Sequence, residues 1–182
     1  MSTESKKQLL SVFIPTYNRP KILQRSLEYW GGCGYDVFIA DSSGERYDDS
    51  LPVNCHYFHM PNVDYYEKSL NIVEKIGSKY IVPCADDDFH ALGGVEDAIQ
   101  FLEMNPSFCT AKGKSIDFVF TDNHLKTYPI YTSDRDIENL SVEIRMQKSL
   151  FPWISNVWAV FRKEIYELCL TSVMDLTHMR AR

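Results

Sequence analysis

Four short apolar runs alternate with helical patterns from the start of the chain to about residue 105. They are LLSVFIP (9–15), DVFIAD (36–41), VNCHYFHM (53–60) and KYIVPC (79–84). Apolar runs of this length, bounded by turn residues, are typical of strands buried on both faces of a sheet. Strands that alternate with helices form a mostly parallel sheet, because each parallel connection needs a crossover. The sequence therefore predicts an α/β fold with a mostly parallel, Rossmann-like sheet and helices on both faces.

Apolar residues at helical spacing separate these runs. The three stripes are Leu23, Leu27 and Trp30; Tyr66, Leu70 and Val73; and Leu92, Val95, Ile99 and Leu102. Beyond residue 105 the sequence predicts a hairpin around TDNH, a helix within residues 134–150, and a strand followed by a helix from residue 156. A chain of 182 residues that is 45% hydrophobic can bury one good core, so we expect one domain over residues 1–182.

Charge and cysteine content restrict the function classes. The net charge of -6 argues against a nucleic-acid partner, because phosphate contacts along a duplex need clustered Lys and Arg. The five cysteines are widely spaced and include no Cys-x-x-Cys pair, which favours a reducing cytoplasm. No run is long enough for a signal peptide or a transmembrane segment. Peripheral association with the inner face of a membrane stays open.

Polar clusters follow three of the predicted strands. PTYNR (15–19) ends the first, DSS (41–43) ends the second, and DDD (86–88) follows the fourth. Because ligands bind outside the carboxyl ends of the strands in open α/β sheets, we expect the three clusters to form one site. Three adjacent carboxylates also need a counter-ion, a hydrogen-bond network or solvent.

These side chains suit a nucleotide. Tyr17 can stack on a base, and Asp41 can accept a hydrogen bond from an imide N–H. Within the triplet, one carboxylate can bind ribose hydroxyls and another a divalent cation, whose shell diphosphate oxygens commonly complete. The sequence contains neither a Walker-type lysine loop nor G-x-G-x-x-G.

Three segments carry a resemblance to a known family. SVFIPTYNRPKILQRSLEYW, VFIADSS and KYIVPCADDDF, in this order and spacing, resemble the nucleotide-binding half of family 2 glycosyltransferases with a GT-A fold. The resemblance covers residues 9–105 and implies a partial acceptor half over residues 106–182. It also implies inverting transfer from a nucleoside diphosphate sugar, with a UDP-sugar favoured, to a carbohydrate or lipid-linked acceptor.

The resemblance also implies residue roles. Pro15, Thr16, Tyr17 and Arg19 would line the nucleotide pocket, with Asp41 on the base and Lys68 approaching the nucleotide. Asp86 and Asp87 would lie near ribose and diphosphate, and Asp88, together with Asp86, would bind Mn²⁺ or Mg²⁺. Asp175 would be the general base that deprotonates the acceptor.

Other interpretations remain open at this point. The chain would be a nucleotide-sugar-binding module without turnover if it is truncated or decayed, and a sugar nucleotidyltransferase has a similar topology. The triplet alone also fits a solvated turn before a helix. Trp153 and Trp158 fit either the core or an acceptor platform, and His90 is predicted to lie in a surface loop.

Overall fold

A computed structural model describes residues 7–121, 124–130, 136–138, 140–150 and 155–180, with side chains described as far as residue 174. In chain order, the elements are β1 (Leu10–Thr16), α1 (Pro20–Trp30), β2 (Asp36–Asp41), β3 (Cys55–His59), α2 (Tyr65–Val73), β4 (Tyr80–Pro83), α3 (Leu92–Met104), β5 (Thr110–Ala111), β6 (Ser115–Thr121), β7 (His124–Ile130), α4 (Val142–Leu150), β8 (Val160–Arg162) and α5 (Lys163–Arg180).

The main sheet has six strands in the order β3-β2-β1-β4-β8-β5. The first four are parallel, while β8 is antiparallel to both β4 and β5. The predicted mostly parallel α/β sheet is therefore confirmed. The predicted hairpin is also confirmed, as the separate antiparallel pair β6–β7.

Apolar side chains pack on both faces of this sheet. Val12 belongs to the cluster that α1 and α3 cover, and the next residue, Phe13, belongs to the cluster that α2 and α5 cover. Because successive side chains of a strand point to opposite faces, a strand covered on both sides reads as a continuous apolar run. This is why the runs that became β1, β2 and β4 were visible in the sequence, whereas β3 is an edge strand whose residues are partly buried or exposed.

The buried face of α2 differs from the predicted stripe. Its buried residues are Lys68, Ser69, Ile72 and Val73, whereas the side chain of Tyr66 is exposed. The helix begins at the Asp64 cap, whose carboxylate accepts the backbone N–H groups of residues 66 and 67. The start of the buried face is polar because Lys68 turns inward, so a search for apolar spacing alone misplaces it.

Pro83 marks the point where β4 loses its second neighbour. The N–H of Cys84 still donates to the carbonyl of Phe13 on β1 (2.9 Å), whereas β8 pairs only with Tyr80 and Ile81. Since backbone groups alternate sides along a strand, the proline nitrogen faces the side where pairing has ended. The chain leaves the sheet here and enters the acidic triplet.

Two further sequence expectations concern the membrane and the thiols. Within the described ranges, the structure contains no helix with the length and apolar character needed to cross a membrane. All five cysteines are free thiols; Cys84 is buried in the core, and Cys109 and Cys169 are exposed.

Candidate functional site

A cavity of about 650 Å³ opens at the carboxyl ends of β1 and β4, against the start of α2. Six of the predicted site residues line it: Pro15, Thr16, Tyr17, Arg19, Lys68 and Asp86. The segment 62–65, which caps α2, forms the opposite wall and was missed. The helix-capping Asp64 in this segment is the only sequence signal that pointed there.

The chain after β1 forms one wall through an unusual backbone turn. Asn18 has a φ of 53°, a left-handed conformation that asparagine tolerates better than most residues. Its N–H donates to the hydroxyl of Ser43 (2.7 Å), which links the loop after β1 to the loop after β2. Tyr17, at the turn, is 59% exposed at the cavity, so its ring is available to a ligand.

Asp41 lies beneath this wall rather than in the cavity. It is 3% exposed, and its carboxylate accepts the backbone N–H of Ser43 (2.8 Å), the Ser43 hydroxyl and the hydroxyl of Tyr57 (2.7 Å). Burial, followed by this bond to Asp41, raises the pKa of Tyr57 to about 12, so the phenol stays protonated as a donor. Ser43 in turn holds Asn18, so Asp41 orients both loops.

Lys68 reaches the floor of the cavity from α2. Its side chain is buried, and its ammonium donates to the carbonyl of Thr16 (2.8 Å) and the hydroxyl of Ser42 (2.9 Å). Burial lowers the pKa of Lys68, while the nearby carboxylates of Asp41 and Asp86 oppose this shift. The structure thus places a positive charge where the first two strands end.

Side chains of the protein donate hydrogen bonds to all three carboxylates of the acidic triplet. Asp86 is buried and accepts from the hydroxyl of Thr16 (2.7 Å) and from Nη1 of Arg19 (3.0 Å). The same Nη1 lies 3.0 Å from Oδ2 of Asp87, so one guanidinium bridges two carboxylates. Asp86, and then Asp87, raise the pKa of Arg19. Asp88 points elsewhere and accepts from the indole N–H of Trp158 (2.6 Å).

The donor set partly fits a divalent cation. Among the described residues, no group of three or more His, Cys, Asp and Glu is arranged to hold a metal ion. Asp86 and Asp87 nevertheless converge on one positive centre, and Mg²⁺ is commonly held by one or two carboxylates plus phosphate oxygens. The fitting pair is therefore Asp86 with Asp87. Asp88, predicted as a ligand with Asp86, directs its Oδ2 to the indole N–H of Trp158 instead.

Among the remaining candidates, Trp158 and His90 are described and do not line this cavity. Asp175 is in α5, but its side chain lies outside what the structure describes, as does Trp153. Trp158 contacts the triplet, which ties it to the site rather than to the core alone. His90 is not the predicted surface residue: it is partly buried with Nε2 3.2 Å from the carbonyl of Pro83, and burial lowers its pKa.

Comparison with solved structures finds chains similar to this one. S. aureus TarS 1–349 in complex with UDP-GlcNAc matches with a TM-score of 0.53 and 12% identity, over 85% of this chain and 45% of that chain. A second structure of S. aureus TarS 1–349 matches with a TM-score of 0.43 and 16% identity, over 54% of this chain and 33% of that chain. A structure of S. aureus TarS matches with a TM-score of 0.44 and 15% identity, over 59% of this chain and 20% of that chain. The chain therefore spans less than half of the length of each neighbour.

The likeness to the UDP-GlcNAc complex bears on the fold. TarS is a glycosyltransferase, and the sheet described above is of the GT-A-like type, as predicted. At 12% identity the match shows the fold alone. No family model matches the chain, and no curated protein matches it in sequence.

Proposed function

We propose that this chain binds a nucleoside diphosphate sugar in the cavity and transfers the sugar to an acceptor hydroxyl. The observation that carries the proposal is the convergence of three strand-end clusters with a buried lysine around one cavity of about 650 Å³. Small-molecule sites commonly have volumes of about 300–1,000 Å³ and lie at the carboxyl ends of α/β sheets.

Each part of the donor has a matching group. The exposed ring of Tyr17 suits a base, while Lys68 and Arg19 supply positive charge for the diphosphate. The buried carboxylate of Asp86 lies on the same wall and suits hydroxyl groups of ribose or sugar. A UDP-sugar is the donor that we propose, since one neighbour of the same fold was solved with UDP-GlcNAc.

A divalent cation, Mn²⁺ or Mg²⁺, belongs to the proposal as a partner of Asp86 and Asp87. Bound there, it would supply positive charge against the leaving diphosphate. The charged residues that line the cavity are Arg19, Asp64, Lys68 and Asp86, two cations and two anions that cancel. A diphosphate would therefore enter a cavity without net positive charge, which favours an added cation.

Acceptor chemistry and family are further parts of the proposal. We propose a family 2-like, inverting transfer to a carbohydrate or lipid-linked hydroxyl, with Asp175 as the base that removes its proton. A cytoplasmic location also stays a prediction. The competing functions are nucleotide-sugar binding without turnover and sugar nucleotidyl transfer.

Titration of the protein with UDP-GlcNAc, with and without Mn²⁺, followed by an assay for released products, separates these functions. We expect saturable binding and slow release of UDP, because water can replace a missing acceptor. Binding without any UDP release, even with added acceptor sugars, would favour the binding-only module. Release of pyrophosphate from UTP and a sugar phosphate would favour the nucleotidyltransferase. Absence of binding would contradict the proposed site.

The position of Asp41 predicts how it affects nucleotide selectivity. Because its carboxylate holds Ser43 and Tyr57, we expect Asp41→Asn to weaken the binding of UDP and CDP by the same factor, roughly 10-fold. Ser43→Ala should weaken both in the same way, since it removes the link to Asn18. Calorimetry with both nucleotides measures this. A change in the ratio of UDP affinity to CDP affinity in Asp41→Asn, but not in Ser43→Ala, would show instead that Asp41 contacts the base directly.

A further inference from the structure

Arg19 occupies the position between Asp86 and Asp87 that a bound cation would take. Its Nη1 lies 3.0 Å from one oxygen of each carboxylate, and Thr16 holds the other oxygen of Asp86 in place. The arginine side chain itself is 48% exposed and lines the cavity. It precedes α1 at the cap position, so it can move without disturbing the helix.

The guanidinium of Arg19 and a divalent cation cannot both occupy the position between Asp86 and Asp87. A divalent cation bound to both carboxylates would lie next to the guanidinium, and like charges at contact distance repel strongly when partly shielded from water. Arg19 and a cation are therefore alternative partners for the same two carboxylates. Without a ligand, the guanidinium keeps the carboxylates together and lowers their affinity for a cation.

A displaced Arg19 has a second partner when a diphosphate is in the cavity. A guanidinium is a planar fork that binds phosphate oxygens with two parallel hydrogen bonds. In the structure only Nη1 is used, and the other guanidinium N–H groups make no hydrogen bond within the described part of the chain. Lys68, on the cavity floor, cannot exchange in this way, because Thr16 and Ser42 hold its ammonium.

We propose that Arg19 couples cation binding to diphosphate binding: it blocks the carboxylates in the empty site and moves to the diphosphate when a cation replaces it. This inference rests on the proposed function, because it requires a diphosphate ligand. Coupling of this kind is reciprocal, so each ligand raises the affinity for the other by the same factor.

Arg19→Gln tests the coupling through Mn²⁺ binding, which is measured from the paramagnetic resonance signal of free Mn²⁺ with and without UDP. In the wild type we expect weak binding of Mn²⁺ alone and an increase of roughly 5- to 150-fold with saturating UDP. In Arg19→Gln we expect Mn²⁺ alone to bind about 10-fold more tightly. We expect saturating UDP to raise the Mn²⁺ affinity by a smaller factor than in the wild type, because only the direct contact between cation and diphosphate remains. A protein-free titration subtracts the Mn²⁺ that UDP binds in solution.

Lys21→Gln is the matched control, because it removes one positive charge from an exposed position of the same helix. It should behave as the wild type. Arg19→Lys keeps a cation near the carboxylates and should keep the weak binding of Mn²⁺ alone. Because lysine lacks the planar fork that binds two phosphate oxygens, UDP should raise the Mn²⁺ affinity of this variant by a smaller factor than in the wild type.

Equal Mn²⁺ affinity of the wild type and Arg19→Gln, or unchanged coupling in the variant, would overturn the role of Arg19. If the wild type binds UDP with the same affinity with and without Mn²⁺, the role of Arg19 is also overturned, but the proposed nucleotide site is still supported. If UDP binds neither with nor without Mn²⁺, the proposed function fails together with this inference.

Discussion

Lys68→Met is expected to destabilise the fold and to weaken binding of the diphosphate more than any other single substitution in the site. Methionine keeps the length of the side chain but removes the ammonium that joins Thr16 to Ser42. The carbonyl of Thr16 loses its charged donor and keeps the backbone N–H of Ser42 (3.2 Å). The carboxylates of Asp41 and Asp86 lose a nearby positive charge. We expect a loss of about 2–4 kcal/mol in the free energy of unfolding. For a domain of this size, this corresponds to a decrease in Tm of roughly 4–16 °C.

The affinity of Lys68→Met for the nucleotide should decrease together with its stability. A hydrogen bond to a charged group contributes about 1.5–3 kcal/mol, so UDP should bind roughly 10- to 150-fold more weakly. Calorimetry well below the Tm of the variant separates this effect from unfolding. Lys75→Met, at an exposed position just beyond α2, is the control and should change stability by less than about 0.5 kcal/mol. If the two variants are equally stable and bind UDP equally, the structural role of Lys68 is wrong.

Asp86→Asn is expected to have the second-largest effect. The buried carboxylate accepts from Thr16 and Arg19. An amide of the same shape can still accept from Arg19 and donate to the Thr16 hydroxyl, but it removes the negative charge that strengthens both hydrogen bonds. We expect a loss of about 2–3 kcal/mol in the free energy of unfolding, measured by urea denaturation. The partly exposed guanidinium keeps this value below that for a fully buried ion pair.

Asp87→Asn separates stability from ligand binding. Its carboxylate is half exposed, so the loss of its contact with Arg19 should cost less than about 1 kcal/mol. Because Asp86 and Asp87 are the two carboxylates proposed to bind the cation, both variants should lose the dependence of UDP binding on Mn²⁺. Retention of this dependence in Asp87→Asn would contradict the pairing of Asp86 with Asp87. Equal destabilisation by both substitutions would contradict the burial argument for Asp86.

Much of the fold was predictable because its signals are local. The apolar runs that became β1, β2 and β4 are continuous because both faces of the sheet are covered. Parallel pairing then brings the carboxyl ends of these strands to one edge, so the meeting of Thr16 with Asp86 followed from topology. The division into residues 9–105 and 106–182 stays a prediction, as do the roles of the site residues toward a ligand.

The tertiary structure decided which side chains contact each other within the site. Local spacing indicated a cation for the triplet, but it did not show that Arg19, 67 residues before Asp86, would bridge two of the carboxylates. The resemblance implied that Asp41 contacts the base, which stays a prediction. Only the structure shows that its carboxylate accepts from Ser43 and Tyr57. Trp158 reaches Asp88 across 70 residues of sequence.

By itself, the sequence determined that the first four strands are parallel and that their polar ends share one edge, because periodicity and turn residues act over a few positions. The tertiary structure alone decided which charge faces which, because a buried ion pair depends on side chains that are distant in the sequence and meet only after packing. The triplet therefore serves as the clearest case: its crowding was visible in the sequence, and its counter-ion, Arg19, was visible only in the fold.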